Sequence, residues 1–187
     1  MTHVDRCEQE KEACRRVNAE GPAVVAAECR EAGYGLTYFS TEYVFGQSEY
    51  EGGKVGPFSE EDEPNPTSWY GECKLRAERA VQEIYGPGAL LLRTTMVFSW
   101  DPSGMNFLMQ YLRQLDPATR VPSFRIPVDQ ISTPTYAPAL AEATLWLRAR
   151  EIGGVFHLVG ADLLSRKEIL ERVAAAFGYS EEDVAAA

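Results

Sequence analysis

Apolar runs along this chain alternate with amphipathic stretches, the pattern of a protein in which strands and helices follow one another. Ala89 to Phe98 is a continuous apolar run interrupted only by Arg93-Thr94-Thr95, which predicts a strand buried in a parallel sheet. Shorter strands are predicted near residues 36–40 and over 154–159. The alternation predicts an α/β fold with a parallel sheet.

Helices are predicted over about residues 7–32, 68–85, 104–115, 138–150 and 165–177. The second of these ends at Gly86-Pro87-Gly88, and the last begins with Ser165 as N-cap and Glu168 at the capping-box position. A polar loop rich in Gly, Glu and Pro occupies about residues 46–67, and a segment punctuated by prolines leads up to residue 134.

Composition narrows the possible partners. With 187 residues, 45% of them hydrophobic, the chain can bury one sizeable core or one core and a small lobe. A net charge of -10 argues against nucleic acid and anionic membranes as partners, and no apolar run or signal peptide indicates a membrane span or secretion. The four cysteines lack the spacing of a zinc site, so we expect no bound metal. Without a secretory signal they are expected to be free thiols in the cytoplasm. Cys73 is expected to be a packed helix residue rather than a reactive thiol.

The chemistry is suggested first by Tyr70 and Lys74 in the second predicted helix. Four residues apart, their phenol and ammonium groups lie on one helix face, one turn from each other. The ammonium is expected to lower the pKa of Tyr70, giving the proton donor and acceptor that carbonyl reduction and alcohol oxidation require. Thr41 follows the first predicted strand, and open α/β sheets place their chemistry at the carboxyl ends of such strands.

Asn18 lies in the first predicted helix, and Pro22 follows it by one helical turn. Because proline has no N–H, the carbonyl of Asn18 loses its usual helical partner and could hold a water molecule. Taken alone, Pro22 is better explained as a tolerated kink in the helix, so both interpretations stay open.

Asn18, Thr41, Tyr70 and Lys74 match, in order and spacing, the Asn, Ser/Thr, Tyr and Lys of the extended short-chain dehydrogenase/reductases. Within them the chain resembles the dTDP-4-dehydrorhamnose reductase family, from residue 1 to about residue 178. The stretches that carry the resemblance are Thr2-His3-Val4-Asp5, Val17 to Pro22, Ser40 to Phe45, Pro57 to Pro66, Leu92 to Thr95, Asp129 to Ala137 and Gly154 to Leu158.

The resemblance implies a Rossmann-like doubly wound parallel sheet with a small substrate-binding lobe. Residues 1–100 would form part of the NAD(P)-binding domain with the catalytic helix. Residues 101–187 would form mainly the small lobe, with about 128–160 returning to the main sheet. The Gly-rich turn that binds the cofactor pyrophosphate in this family does not occur in the sequence, so we expect a fragment lacking the N-terminal nucleotide-binding portion.

By resemblance the activity is NADPH- or NADH-dependent reduction of a nucleotide-linked 4-keto sugar. Tyr70 would protonate the carbonyl oxygen, Lys74 would bind the nicotinamide ribose, and Asn18 would hold a relay water. The predicted cofactor contacts are Tyr70, Lys74 and Thr2, and the predicted substrate contacts are Thr41, Glu42, Tyr43, Met96 and Val4. Where this family usually has Asp, the chain has Glu42, and where the family often has Trp, the chain has Met96. Both differences bear on which sugar the site would accept.

Two alternatives to the reductase stay open at this point, which makes three possibilities in all. The resemblance also covers the regulatory subunit of methionine adenosyltransferase, a non-catalytic binding partner with the same fold. The third possibility is an inert truncated chain. Since removing half of a parallel sheet leaves an unpaired strand edge, we expect the isolated chain to aggregate or to form a homodimer.

Overall fold

The structure is a computed structural model that describes residues 1–46, 56–101, 104, 106–122, 124–127 and 130–186. Residues 47–55 of the predicted loop at about 46–67 and residues 128–129 of the predicted return therefore lie outside the described residues. The elements, in chain order, are α1 (Val4–Gln9), α2 (Lys11–Arg15), a π-helical turn (Arg16–Glu20), α3 (Gly21–Ala32), β1 (Thr37–Thr41), a 3-10 turn (Glu42–Val44), α4 (Trp69–Tyr85), β2 (Leu90–Thr94), β3 (Val97–Phe98), α5 (Phe107–Leu115), β4 (Ile131–Ser132), β5 (Thr135–Tyr136), α6 (Ala137–Arg148), β6 (Gly154–His157), β7 (Leu164–Ser165), α7 (Arg166–Phe177) and α8 (Glu181–Ala186).

The chain divides into two compact units. The first comprises Met1–Thr94 and Ala143–Leu158, and the second comprises Thr95–Glu142 and Val159–Ala187. The chain thus leaves the first unit after Thr94 rather than near residue 100. It returns over a shorter segment than the predicted 128–160.

The first unit is built on three parallel strands in the order β1-β2-β6, which confirms the predicted α/β class with a parallel sheet. The central strand β2 is buried at all five positions, as its apolar run predicted. Ser40 lies opposite Arg93, and Arg93 lies opposite His157, so these three residues form one row across the sheet. Side chains of this row point to the same face, because register partners in a sheet share a face.

The region predicted as one helix over about 7–32 begins earlier and is interrupted. His3 starts α1, since its Nδ1 accepts a hydrogen bond from the backbone N–H of Arg6 at 3.3 Å. The backbone hydrogen bonds of the helix then change to the five-residue spacing of the π-helical turn, where the N–H of Gly21 bonds to the carbonyl of Arg16. Pro22 follows immediately and has no N–H to offer, which is the physical reason for the change in helical pitch.

Helix α4 follows its prediction closely. Ser68 caps it by accepting a hydrogen bond from the N–H of Gly71 at 3.1 Å, and Gly86 ends it with a φ of 88°. The helix packs on α3 and on β1. Between helices and sheet lies a core cluster of Ala26, Leu36, Val81, Ala89 and Leu91.

The second unit pairs β3 with β5 in parallel and β4 with β7 antiparallel. Its core lies among α5, β7 and α7 and includes Leu115, Leu164 and Leu170. The predicted capping box is present: Ser165 accepts from the N–H of Glu168, and the Glu168 carboxylate accepts from the N–H of Ser165 at 2.7 Å. The short helix α8 was not predicted from the sequence.

Three cysteines, Cys7, Cys14 and Cys73, are fully buried in one cluster, so Cys73 is packed as predicted. All four cysteines are free thiols. Across the described residues no helix combines the length and the apolar character that crossing a membrane requires. The described part of the chain also contains no group of three His, Cys, Asp or Glu side chains able to hold a metal ion.

Candidate active site

Thr41 is the last residue of β1 and begins the candidate site. It is only 6% exposed, and its hydroxyl accepts a hydrogen bond from the N–H of Tyr43 at 3.3 Å. The same hydroxyl donates to the Glu42 carboxylate at 3.0 Å. These contacts turn the chain into the 3-10 turn directly after the strand, at the carboxyl edge of the sheet where the sequence predicted the chemistry.

Tyr70 meets this turn from the first turn of α4. Its ring packs edge-on against the ring of Tyr43, with centroids 5.7 Å apart and an interplanar angle of 78°. Its phenol lies near the side chain of Thr41, which acts on the pKa of Tyr70. The structure therefore brings together Thr41, Glu42, Tyr43 and Tyr70, four of the predicted site residues.

Gly71 makes this close approach possible. A Cβ atom at position 71 would lie 2.0 Å from the carbonyl oxygen of Tyr43, far inside van der Waals contact. The first turn of α4 is thus pressed against the 3-10 turn, backbone to backbone. Any side chain at this position would push Tyr70 away from Thr41.

Lys74 lies one turn after Tyr70 on α4, as the spacing predicted. Its ammonium donates a hydrogen bond to the carbonyl of Phe39 at 2.7 Å and lies 4.1 Å from the centroid of the Tyr38 ring. Burial lowers the pKa of Lys74 to about 8, and the carboxylate of Glu78 acts in the opposite direction. The ammonium is thus anchored to β1 beside an aromatic face.

The predicted effect of Lys74 on Tyr70 is wrong for this structure. The pKa of Tyr70 is raised to about 12, first by burial and next by the nearby carboxylate of Glu42. The nearby side chain of Thr41 lowers it, but by less. Sequence spacing placed the ammonium one turn away without revealing how far the phenol is removed from water.

Asn18 is buried in the π-helical turn, but its side chain points to the start of the chain. Its Nδ2 donates to the carbonyl of Met1 at 2.8 Å and to Cys14 Sγ at 3.4 Å, and its Oδ1 accepts from the Met1 ammonium at 3.3 Å. The expectation that Pro22 disturbs the helix at Asn18 is confirmed by the π-helical turn. The relay water stays a prediction.

The remaining predicted residues are Thr2, Val4 and Met96. Thr2 is exposed just before α1, and Val4 is the first residue of that helix. Met96 belongs to the second unit and adopts a left-handed φ of 41°, which is uncommon for a residue with a side chain. Its sulfur lies 2.7 Å from Ser132 Oγ and 2.6 Å from Arg166 Nη1. The roles of these residues stay predictions.

Sequence reasoning missed the buried ion pair of Glu78 and Arg93. The Arg93 guanidinium binds both carboxylate oxygens, with Nη2 at 2.7 Å and Nε at 3.1 and 3.2 Å. The two side chains are 2% and 7% exposed. A signal was present, because an arginine inside an apolar strand needs a buried partner, and Glu78 stands one turn beyond Lys74.

His157 is held by a second carboxylate. Its backbone N–H donates to Glu60 Oε1 at 2.8 Å, and its ring packs edge-on against Phe45 at 5.6 Å. Burial lowers the pKa of the imidazole. These contacts agree with the structural role that an apolar strand predicts for this histidine.

A parallel sheet with a strand-end threonine, and a helix carrying tyrosine and lysine one turn apart, define a Rossmann-like fold of the short-chain dehydrogenase/reductase kind. The model of the RmlD substrate binding domain matches residues 1–187. The chain belongs to this family, and the resemblance inferred from the sequence is confirmed.

Relatives at the level of sequence support the same assignment. The dTDP-4-dehydrorhamnose reductase of Burkholderia thailandensis is 36% identical over 169 residues, which are 86% of this chain and 53% of that protein. The probable low-salt glycan biosynthesis reductase Agl14 of Haloferax volcanii is 32% identical over 180 residues, 95% of this chain and 57% of that protein. The chain therefore spans little more than half the length of these relatives.

Solved structures agree with the fold. The dTDP-4-dehydrorhamnose reductase of Bacillus anthracis, in complex with NADP, is 26% identical and superposes with a TM-score of 0.84. The match covers 96% of this chain and 60% of that one.

Proposed function

We propose that this chain carries the catalytic helix of an NADPH- or NADH-dependent reductase acting on a nucleotide-linked 4-keto sugar of the dTDP-4-dehydrorhamnose type. The observation that carries the proposal is the position of Tyr70, packed on Tyr43 beside Thr41 at the end of β1 and one turn before Lys74. Membership of the RmlD family and the reductase names of the relatives support it.

Reduction of a ketone requires a proton donor beside the carbonyl oxygen. With its pKa raised to about 12, the Tyr70 phenol is protonated at neutral pH and can donate from its hydroxyl to that oxygen. Thr41 lies next to the phenol and donates its own hydroxyl proton to Glu42. In the proposed complex, the substrate oxygen replaces Glu42 as the acceptor of that hydrogen bond.

Proton donation leaves a phenolate, and Lys74 is positioned to stabilise it. The ammonium stands one helical turn away, on the same side of α4, and is fixed by the Phe39 carbonyl. A carbonyl reductase begins its reaction with the acid protonated, as Tyr70 is at neutral pH.

The proposed cofactor would supply the hydride. The hydroxyl of Tyr70, beside the carboxyl end of β1, and the ammonium of Lys74, bound to the Phe39 carbonyl within that strand, offer a donor set that fits a nicotinamide ribose, and Thr2 is the third proposed contact. The NADP complex of the Bacillus anthracis relative supports this choice of cofactor class.

The proposed substrate contacts are Thr41, Glu42 and Tyr43 in the first unit, with Val4 and Met96. We further propose a cytoplasmic enzyme, which the four free thiols support. Association as a homodimer is proposed because β1 forms an edge of its sheet.

Titration calorimetry with NADPH and with NADH tests the cofactor part of the proposal. The 187-residue chain is compared with an extended form, in which it is joined to the part of the Burkholderia thailandensis reductase that lies outside the match. Binding by the extended form, weakened in a Lys74→Met variant, is the expected result. If neither form binds either cofactor, the proposal is wrong and the regulatory-subunit interpretation takes its place.

A further inference from the structure

Lys74 occupies a place that disfavours its charge. The ammonium lies against the Tyr38 ring at 4.1 Å and has the Phe39 carbonyl as acceptor at 2.7 Å. Burial lowers the pKa of Lys74, which is about 8 with the opposing effect of the Glu78 carboxylate included. A nearby negative charge is needed to keep the ammonium protonated there.

Glu78 supplies that charge from the next turn of α4. Tyr70, Lys74 and Glu78 follow one another at four-residue intervals, so they form a single row along the helix. Glu78 is 2% exposed, and its carboxylate favours the charged form of Lys74. Screening by solvent is weak for a carboxylate so deeply buried.

Arg93 fixes the carboxylate from the sheet. Two nitrogens of its guanidinium bind Glu78, with the shortest contact at 2.7 Å, and the group also lies 5.0 Å from the centroid of Phe45. A bidentate pair of this kind fixes the position and the orientation of the carboxylate. Because Arg93 belongs to the row Ser40-Arg93-His157, the sheet itself sets the position of Glu78.

We propose that Glu78, held by Arg93, is a positioning residue that keeps Lys74 charged and anchored one turn from Tyr70. The proposal rests on the proposed function for its use in catalysis, since only a reductase needs the ammonium beside the phenol. Glu78 itself touches neither substrate nor cofactor in this scheme. It acts through Lys74.

Other charged and titratable groups lie on elements packed around this cluster, among them Cys7 of α1, which raises the pKa of Tyr70. Tyr38 comes from β1, His157 from β6 and Glu42 from the 3-10 turn, and α3 directs Arg30 to the carbonyl of Ile84 farther along α4. Among the described residues, the charge that acts on the pKa of Lys74 is that of Glu78 rather than that of any of these groups.

Competitive labelling of amines with trace acetic anhydride tests the proposal without relying on turnover. The extent of acetylation of each lysine is read by mass spectrometry across pH, with the exposed Lys11 and Lys167 as internal references. In Glu78→Gln, which keeps the shape of the side chain, the labelling midpoint of Lys74 is expected to fall by about one pH unit. Glu78→Asp, which keeps the charge, is expected to restore most of it.

Glu72→Gln is the matched control, because Glu72 forms an exposed ion pair with Arg76 at 2.7 Å on the same helix. Its Lys74 midpoint is expected to equal that of the parent. Should Glu78→Gln not fold, the double variant Glu78→Gln/Arg93→Met removes both buried charges and is expected to show the same fall. An unchanged midpoint in the folded Gln variants, or an equal fall in Glu72→Gln, overturns the proposal.

Activity distinguishes this inference from the proposed function. In the extended form, the alkaline limb of kcat/KM against pH is expected to move in the same direction as the labelling midpoint. If the parent shows no turnover, the proposed function is wrong, while the labelling result still decides whether Glu78 maintains the charge of Lys74.

Discussion

Gly71 gives the sharpest stability prediction, because helix propensity and packing predict opposite signs. Replacing a helical glycine by alanine ordinarily stabilises a helix by about 1 kcal/mol. At position 71 the new methyl group would lie 2.0 Å from the Tyr43 carbonyl oxygen and 2.9 Å from its carbon. Both are backbone atoms, so they cannot rotate away as a flexible side chain would.

The magnitude follows from that contact. An overpacked site costs about 1 to 3 kcal/mol, and a clash with fixed backbone belongs at the upper end of this range. Subtracting the gain in propensity, we expect Gly71→Ala to lower the free energy of unfolding by about 2 kcal/mol. The same displacement moves Tyr70 from Thr41, so any turnover by the extended form is expected to fall as well.

Urea unfolding followed by circular dichroism measures the effect. Gly21→Ala is the control, since its methyl group would lie 3.4 Å from the carbonyl oxygen of Arg16, in ordinary contact. That variant is expected to gain about 0.5 to 1 kcal/mol. If Gly71→Ala proves as stable as the parent, with an unchanged dependence on urea, the close packing of α4 against the 3-10 turn is refuted.

Three further predictions concern other parts of the chain. Ser165→Ala removes the capping box with Glu168 and is expected to cost about 1 kcal/mol, measured by urea unfolding; a loss below about 0.3 kcal/mol would contradict it. Because the other three cysteines are buried, Cys29 is expected to react first with a thiol reagent, and equal rates would refute this. The 187-residue chain is expected to self-associate through its exposed sheet edge, and a monomer in light scattering at all concentrations would argue against that.

Local patterns predicted most of the first unit. The apolar run that became β2 needed no partner to be identified, since a strand buried on both faces is apolar throughout. The capping box of α7 was equally visible, because Ser165 and Glu168 satisfy each other within one turn. The interruption of the first helix was harder to place, since His3 is an unusual cap and Pro22 shifts the pitch one turn upstream.

The electrostatics of the candidate site could not be predicted in the same way. Spacing identified Tyr70 and Lys74 as neighbours, but the raised pKa of Tyr70 depends on burial beneath residues distant in sequence. The pair of Glu78 and Arg93 likewise joins a helix to a strand. Such contacts depend on how elements pack, which hydrophobic periodicity does not specify.

Turnover with a Tyr70 variant tests the central claim most directly. NADPH oxidation in the presence of dTDP-4-dehydrorhamnose is followed for the extended form, its Tyr70→Phe variant and a Tyr34→Phe control, whose side chain is exposed. We expect a loss of about 100-fold or more in kcat for Tyr70→Phe, larger than the accompanying loss of cofactor affinity, and an unchanged control. Turnover by Tyr70→Phe at the rate of the parent would contradict it.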